Sequence, residues 1–255
     1  MKILSPEKIV VGLEEVNLDE FPNLRVIGCN MTSCEHLPLE EMKKRGIKLI
    51  SLKGNDLFLK TITSTAEHNF GLIIALLRNY KTALNEPYKE RDLYQGHTLS
   101  DKILGIIGYG RVGKQLKKMA VGFSMTVITH DKGERYIENL LEESDIVSLN
   151  IPLQGNEGFF TREMFTFMKP NAYLINTSRS GVIEEGALLD ALKCEIIAGA
   201  AVDFIDDPQL LEYAKTHSNL VLTPHLGGCT LEDMKKTEDF IVNRVKNYVD
   251  EQSLL

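Results

Sequence analysis

The stretch that decides the fold is KILGIIGYGRVGKQLKKMAVGFSMTVITHD, residues 102–131. It opens with an apolar run of strand length at 103–107, and Gly108, Gly110 and Gly113 follow with the spacing G-x-G-x-x-G. Apolar residues then recur at helical intervals, and a second apolar run leads to Asp131. Strand, glycines, helix, strand and acid in this order predict a βαβ unit that binds a dinucleotide.

Each part of this unit has a physical role in binding. Gly108 permits a tight turn, Gly110 lets the backbone approach a pyrophosphate, and Gly113 lets the helix pack closely on the strand. The helix N-terminus offers N–H groups and a positive dipole end to the phosphates. The carboxylate of Asp131 can bind a ribose 2′-OH and would repel a 2′-phosphate, so the cofactor we expect is NAD. A glycine-rich turn without a ligand is the alternative.

Composition limits the class of protein. The 255 residues are 43% hydrophobic and 25% charged, as in soluble globular proteins, and the net charge of −7 argues against nucleic acid or an anionic membrane as a partner. No apolar run is long enough to span a bilayer, and the first residues lack the features of a signal peptide. The four cysteines, Cys29, Cys34, Cys194 and Cys229, show no zinc spacing. We therefore expect a cytoplasmic protein with reduced thiols and no metal.

The segment before the dinucleotide unit predicts a small α/β lobe. Three strand-like runs lie at 9–13, 24–29 and 47–52, and a short helix is predicted over 38–45. A strongly apolar helix is predicted over 64–84, with Ser64 as its N-cap and Glu67 completing a capping box. His68 on this helix is interpreted as a packed or capping residue in preference to a ligand or catalyst. A polar linker is predicted over 85–100.

After Asp131 the alternation of strands and helices continues. Strands are predicted at 145–149, 172–176, 196–202 and 219–222, with helices at 136–143, 161–168 and 184–193 between them. With the two strands of the opening stretch this makes six, which predicts a doubly wound parallel sheet. A last amphipathic helix is predicted over 231–250, with Val249 among its apolar positions. The expected domains are 1–92, joined by the helical tail 229–255, and 93–228.

Polar residues follow three successive predicted strands, where α/β sheets bind ligands. Arg179 lies in the loop TSRSG, the acids Asp203, Asp206 and Asp207 follow Val202, and His225 lies in TPHLGG. An imidazole can transfer a proton at neutral pH, a carboxylate can orient it, and a guanidinium can bind a carboxylate. Beside a nicotinamide these groups suffice to reduce a 2-oxo acid. The alternative is that Arg179 and His225 are ordinary loop residues.

From about residue 24 onward the chain resembles the D-isomer-specific 2-hydroxyacid dehydrogenases. The segments that carry the resemblance are PNLRVIG (22–28), STAEH (64–68), LGIIGYGRVGK (104–114), SDIVSLNIPL (144–153), MKPNAYLINTSRSGVIEEGAL (168–188), GAAVD (199–203) and TPHLGG (223–228). The resemblance implies a Rossmann domain, built on the doubly wound sheet, with a second, smaller and truncated flavodoxin-like α/β lobe. It also implies an NAD-dependent dehydrogenase that interconverts a D-2-hydroxy acid and a 2-oxo acid.

The resemblance further implies a role for each site residue. Arg179 would hold the substrate, His225 would be the acid/base, and Asp207 matches the position of the acid that pairs with the histidine. Thr32 and Ser33 would offer backbone N–H groups to the substrate. The cofactor would be bound by residues of the glycine loop and of several strand ends: Gly108, Gly110, Arg111, Val112, Gly113, Asp131, Asn150, Pro152, Thr177 and Asp203.

Two departures from the family pattern suggest a second hypothesis. The run from Asp203 to Pro208 is one residue shorter than the family's and offers Asp207 where the family has Glu, and two strand–helix units that normally begin the substrate lobe are absent. Such a chain could be an NAD(H)-binding protein with weak or lost catalysis that acts as a sensor or interaction module. Apolar surface left uncovered by the missing units would favour a homodimer or higher homo-oligomer.

Overall fold

The computed structural model describes residues 1–86, 90–134, 136–204 and 206–248. The chain forms two compact units. Unit 1 consists of Met1–Ile62 together with Thr230–Leu255, and unit 2 consists of Thr63–Cys229. Each unit has its own sheet.

Unit 1 contains a four-stranded sheet in the order β1-β2-β3-β4. The elements are β1 (Lys2–Ser5), β2 (Lys8–Val11), β3 (Val26–Cys29), α1 (Leu39–Lys44), β4 (Lys48–Ser51) and α2 (Asp56–Leu59). The three predicted strands and the helix at 38–45 are present in shortened form. β1 was not predicted: it pairs antiparallel with β2 at the sheet edge and is largely exposed. Its stability comes from backbone pairing, which leaves little hydrophobic signal in the sequence.

Unit 2 contains a six-stranded, wholly parallel sheet in the order β10-β9-β8-β7-β5-β6. Its elements are α3 (Ser64–Leu77), α4 (Tyr80–Asn85), β5 (Ile103–Ile107), α5 (Arg111–Gly122), β6 (Thr126–His130), α6 (Ile137–Glu143), β7 (Ile146–Leu149), α7 (Arg162–Thr166), β8 (Tyr173–Asn176), α8 (Ala187–Lys193), β9 (Gly199–Val202), α9 (Pro208–Thr216) and β10 (Leu220–Leu222). One apolar cluster joins α6 to α9 to one face of the sheet, and a second joins α3 and α5 to the other. The predicted doubly wound α/β fold is confirmed.

The helix predicted over 64–84 is two helices. Asn79 adopts the left-handed conformation, with φ of 51°, and separates α3 from α4. Asparagine tolerates this conformation better than most residues, so it is a natural breaking point. The N-cap of α3 is Thr63, one residue before the predicted cap, and its hydroxyl donates to Glu67 Oε1 at 2.5 Å.

Helix α3 also explains where the two units divide. Its buried residues Leu72, Ile73 and Leu76 share a cluster with Leu104 and Leu116 of unit 2. The division therefore falls at Ile62/Thr63, before α3, and not at the expected position after residue 92. The sequence order of α3 could not show which of the two sheets it covers.

The C-terminal helix α10 (Leu231–Lys246) belongs to unit 1. Its buried residues Ile241, Val242 and Val245 form one apolar cluster with Val10 of β2 and Val26 of β3. A Cβ at Gly28 would lie 2.6 Å from Val245 Cγ2, so the glycine makes room for the helix. The end of the predicted helix, including Val249, lies outside the described residues. Among the described helices, each is too short or too polar to cross a bilayer.

Candidate active site

The glycine loop connects β5 to α5. Gly108 has φ of +92°, and a Cβ there would lie 2.6 Å from the carbonyl oxygen of Asn150. A Cβ at Gly113 would lie 2.4 Å from the carbonyl oxygen of Gly108, which shows how closely the helix packs on the turn. Both glycines therefore have the steric roles that the sequence predicts.

Gly110 differs from these two because a Cβ there would meet no protein atom within 4 Å. Gly110 is the N-cap of α5 and, as a glycine, offers no side chain to cap that helix. Lys114 and Lys117 also place their ammonium groups 5.6 and 5.3 Å from the Tyr109 ring centroid, close to the loop. Open space, a helix N-terminus and positive charge fit a pyrophosphate.

Asp131 directly follows β6, as the sequence predicts. Its backbone N–H donates to Glu134 Oε2 at 3.0 Å, and its own Oδ1 accepts from the N–H of Lys132 at 2.8 Å. Two carboxylates therefore lie together at this strand end. This arrangement fits a ribose hydroxyl and opposes a 2′-phosphate, since the phosphate would add further negative charge beside both acids.

Asn150 follows β7, at the same edge of the sheet as the glycine loop. Its side-chain N–H group donates to the carbonyl and hydroxyl of Ser148 at 3.1 and 3.0 Å. Its Oδ1 atom is buried without a hydrogen-bond partner among the described residues. A buried acceptor of this kind requires a donor, so it fits a hydroxyl of a bound cofactor. Pro152, two residues further on, is exposed.

Arg179 lies in the loop that follows β8. Its Nη1 atom donates to the carbonyl of Ser178 at 2.8 Å, and Asn176 Nδ2 holds the Arg179 carbonyl at 2.9 Å. The side chain is half-buried, and among the described residues its guanidinium forms no ion pair with an acid. A partly buried guanidinium without a carboxylate partner is suited to bind one from a ligand.

Asp203, at the end of β9, is 2% exposed and is held by protein donors. Its Oδ1 accepts from the Thr223 hydroxyl at 2.6 Å and the Leu226 amide at 2.7 Å, and its Oδ2 accepts from the Gly227 amide at 2.7 Å. Burial alone would raise the pKa of Asp203, but hydrogen bonds from His68, Thr223 and the two amides outweigh it and lower the pKa to about 2. The role of Asp203 in binding the cofactor stays a prediction, and the structure adds a role in holding the loop after β10.

His225 lies in that loop, with φ of +59°. Burial of the ring lowers the pKa of His225, and the charge of Arg179 lowers it further, whereas the charge of Asp203 opposes them. Arg179 and His225 are therefore within electrostatic range of each other, at the carboxyl ends of β8 and β10. Among the described residues the imidazole makes no hydrogen bond, so both ring nitrogens are available to a ligand.

Asp207 matches the family position in sequence, and its described hydrogen bonds are local. Its Oδ1 accepts from the amides of Gln209 and Leu210 at 2.8 and 3.1 Å, so it is the N-cap of α9. Within the described part of the chain no hydrogen bond joins it to His225. Asp206 accepts from the Ser180 hydroxyl at 2.5 Å. Aspartate before proline is a strong helix-start signal, and this local preference accounts for the observed role.

Thr32 and Ser33 lie in unit 1, in the loop that follows β3. Among the described residues their backbone N–H groups donate no hydrogen bond. Amides without partners suit the binding of an anion, which is consistent with the role implied for them. No group of three or more potential metal ligands occurs among the described residues.

Helix α3 contributes two polar residues to the site that the sequence pattern alone did not predict there. His68 Nε2 lies 3.0 Å from Thr223 Oγ1, and the fully buried Asn69 donates to Ser148 Oγ at 3.0 Å and Thr177 Oγ1 at 2.9 Å. The polar pair directly before the apolar part of this helix was the signal that could have identified them. Their contacts lie at the same sheet edge as the residues described above.

The chain is similar in sequence and fold to known proteins. The model of the family "D-isomer specific 2-hydroxyacid dehydrogenase, NAD binding domain" matches residues 70–227. A glyoxylate reductase of Thermococcus litoralis is 34% identical over 239 residues, which cover 84% of this chain and 71% of the reductase. The D-3-phosphoglycerate dehydrogenase of Bacillus subtilis is 32% identical over 233 residues, which cover 84% of this chain and 43% of that longer protein.

Among solved structures, the apo form of D-lactate dehydrogenase from Escherichia coli matches with a TM-score of 0.82 and 22% identity, over 94% of this chain and 82% of that chain. At this identity the match concerns the fold alone. It agrees with the arrangement of strands and helices found in both units.

Proposed function

Because the chain belongs to the D-isomer specific 2-hydroxyacid dehydrogenase family, we propose that Arg179 and His225 carry out its reaction. The protein is an NAD-dependent oxidoreductase that interconverts a 2-hydroxy acid and a 2-oxo acid. The observation that carries our assignment of residues is the pair itself. The Arg179 guanidinium, which has no acid partner within the described part of the chain, lies within electrostatic range of the His225 imidazole, at the sheet edge that holds the glycine loop.

The residues around the glycine loop fit NAD, which supplies or accepts the hydride when bound. Gly110 leaves open space at the helix N-terminus, where Arg111, Val112 and Gly113 would present amides to the pyrophosphate. Asn150 Oδ1 is a buried acceptor with no partner in the part of the chain that the structure describes, so it would accept a hydrogen bond from the cofactor. Asp131 and the neighbouring Glu134 would select NAD over its 2′-phosphorylated form. Pro152, Thr177 and Asp203 complete the proposed cofactor set.

The two charged side chains have separate tasks in the reaction. In reduction, Arg179 binds the substrate carboxylate and polarises the carbonyl, and protonated His225 gives its proton to the carbonyl oxygen as the hydride adds to the carbon. In oxidation, neutral His225 takes the hydroxyl proton as the hydride leaves. The lowered pKa of His225 favours the neutral ring in the free protein. Binding of a carboxylate at Arg179 offsets the guanidinium charge and raises that pKa, which favours the acid form.

Thr32 and Ser33, through their amides, are proposed to bind the same substrate. Asp207 as the acid partner of His225 stays a prediction, and its capping contacts count against it. The presence of both Arg179 and His225 favours the enzyme over the sensor hypothesis.

Assembly and location are also proposals. Tyr80, Leu84 and Leu93 are 45%, 78% and 65% exposed, and such apolar side chains favour a homodimer or higher homo-oligomer. Cys29 and Cys34 are buried free thiols, which a reducing compartment such as the cytoplasm maintains. Analytical ultracentrifugation tests the oligomer, since a monomer at all concentrations would contradict it.

The test of the reaction is NADH oxidation with glyoxylate, hydroxypyruvate, pyruvate and a bulkier 2-oxo acid. We expect turnover with at least one of them. His225→Ala should lower kcat by about 100- to 10,000-fold, as for loss of a general acid. Arg179→Ala should raise KM by about 10- to 100-fold, as for loss of a charge-assisted pair. Binding of NADH without turnover of any 2-oxo acid would contradict the assignment, and tighter binding of NADPH than of NADH would contradict the role of Asp131.

A further inference from the structure

Helix α3 contributes two adjacent polar side chains to the carboxyl edge of the sheet in unit 2. His68 reaches the segments after β9 and β10, and Asn69 reaches β7 and the residue after β8. These are the strand ends that carry Asn150, Thr177, Arg179, Asp203 and His225. One dipeptide therefore contacts the strand ends that carry five of the residues proposed to act on cofactor or substrate.

The contacts of His68 fix the position of its proton. The Thr223 hydroxyl donates to Asp203 Oδ1 at 2.6 Å, so its oxygen can only accept from His68 Nε2 at 3.0 Å. His68 Nε2 therefore carries a hydrogen, and it also lies 3.4 Å from Asp203 Oδ1. The His68 side chain is 20% exposed, and the Asp203 side chain is 1% exposed. Hydrogen bonds in such a buried environment are stronger than in water.

Asp203 extends this series of hydrogen bonds to the segment around His225. The carboxylate binds the amides of Leu226 and Gly227, which directly follow His225, and the hydroxyl of Thr223, two residues before it. His225 itself has φ of +59°, a conformation that costs energy in a residue with a side chain. The hydrogen bonds that link His68, Thr223 and Asp203 therefore hold the backbone on both sides of His225.

Asn69 makes the corresponding connection at the neighbouring strands. Its amide group donates to Ser148 Oγ and Thr177 Oγ1, and Ser148 Oγ in turn accepts from Asn150 Nδ2 at 3.0 Å. Asn69 and Ser148 are both fully buried. These contacts orient Asn150 so that its Oδ1 atom has no hydrogen-bond partner from the residues that the structure describes.

We propose that His68 and Asn69 are positioning residues that hold the acid/base loop and the cofactor-facing strand ends in their reactive geometry. This inference rests on the proposed function. A residue that serves packing alone would change stability when it is replaced. A positioning residue changes kcat, because misplacing a reacting group by a fraction of a bond length slows the chemical step.

The test compares His68→Leu, His68→Gln and, as a matched control, His97→Leu, since His97 is exposed in the same unit. We expect His68→Leu to lower kcat by about 10- to 100-fold while KM and the Kd for NADH change less than about threefold. His68→Gln, whose amide can replace the Nε2 donor, should restore most of the rate. His97→Leu should behave as the wild type.

A second pair of variants covers the case in which His68→Leu does not fold. Thr223→Val removes the hydroxyl with little change of shape, and Thr223→Ser keeps it. We expect the kcat loss in Thr223→Val only. Equal kcat values in Thr223→Val and wild type, or equal losses in Thr223→Val and Thr223→Ser, would overturn the proposal.

Amide hydrogen exchange gives a readout that does not depend on turnover. In the protein without cofactor, His68→Leu and Thr223→Val should speed exchange at Leu226 and Gly227 by at least about tenfold, because Asp203 is then less well held. Exchange that equals the wild type at both amides would overturn the proposal. If the wild type reduces no 2-oxo acid, the proposed function fails, and the exchange experiment still decides the positioning role.

Discussion

Arg179 and His225 lie close enough for the guanidinium charge to add to the effect of burial and lower the pKa of the imidazole. The two residues come from different loops, after β8 and β10, and no hydrogen bond joins them within the described chain. The lowered pKa favours the neutral form of His225, beside a guanidinium that forms no ion pair with an acid among the described residues. We predict that a substrate carboxylate bound at Arg179 raises the pKa of His225 and so prepares it to act as an acid.

Replacing Arg179 should raise the pKa of His225. In Arg179→Met the ring stays buried but the neighbouring positive charge is gone, so the pKa moves back toward its ordinary value. Nuclear magnetic resonance titration of the imidazole measures this shift. Arg162→Met is the control, because Arg162 pairs with Asp190 and Glu184 at the surface. A pKa of His225 that is unchanged or lower in Arg179→Met would contradict the coupling.

Gly110 and Gly113 should respond differently to alanine. A Cβ at Gly113 would lie 2.4 Å from a backbone oxygen, so Gly113→Ala should destabilise the protein by roughly 1–3 kcal/mol. A Cβ at Gly110 meets no protein atom within 4 Å, so Gly110→Ala should leave stability within about 0.5 kcal/mol. Its Kd for NADH should nevertheless rise by at least about tenfold, because a methyl enters the space proposed for the pyrophosphate. Urea unfolding and NADH fluorescence titration measure the two effects, and tight NADH binding by Gly110→Ala would be incompatible with the site.

Asp203 should stabilise unit 2 in a pH-dependent way. The pKa falls from 3.8 to about 2 on folding, so the stabilisation is complete above 3.8 and is lost as the pH falls toward 2. A shift of this size corresponds to about 2 kcal/mol. In Asp203→Asn the new side-chain N–H group would face hydrogen-bond donors in place of acceptors. We therefore expect the free energy of unfolding to fall by about 2–4 kcal/mol near neutral pH. Urea unfolding at several pH values should show that the difference in free energy of unfolding between Asp203→Asn and wild type shrinks as the pH falls. A difference that stays constant with pH would contradict the prediction.

Lys81 should stabilise unit 2 without any part in catalysis. Its ammonium donates to the carbonyls of Ala214, His217 and Leu220, at 2.5, 2.9 and 2.7 Å, at the end of α9 and the start of β10. Lys81→Met leaves these carbonyls without their donor and should cost about 1–3 kcal/mol in the free energy of unfolding. Lys215→Met is the matched control, because Lys215 forms only an exposed pair with Glu212. Equal stabilities of the two variants would show that the buried contacts contribute little.

The sequence predicts the dinucleotide unit almost to the residue, because three glycines and a terminal acid impose steric requirements that few other structures share. The strand ends that carry Arg179 and His225 are also predictable, since parallel strands bring their carboxyl ends to one edge. The edge strand β1 and the break at Asn79 cannot be predicted in this way, because each depends on backbone geometry that apolar periodicity does not record.

The support for the site was harder to predict than its central residues. Asp207 matches a family position, yet its carboxylate caps α9. A capping contact with amides two and three residues away competes with a partner that is distant in the sequence. His68 and Asn69 lie more than a hundred residues from Thr223 and Thr177 in the chain. Their contacts depend on how α3 packs on the sheet, which one sequence does not reveal.

Transfer of deuterium from NADH labelled at C4 of the nicotinamide tests the central claim most directly. With pyruvate or hydroxypyruvate as substrate, we predict that the label appears at C2 of the product, that the product is the D-2-hydroxy acid, and that His225→Ala forms it at least about 100-fold more slowly. Formation of the L-enantiomer, a product that carries no label from NADH, or an unchanged rate in His225→Ala would contradict the claim.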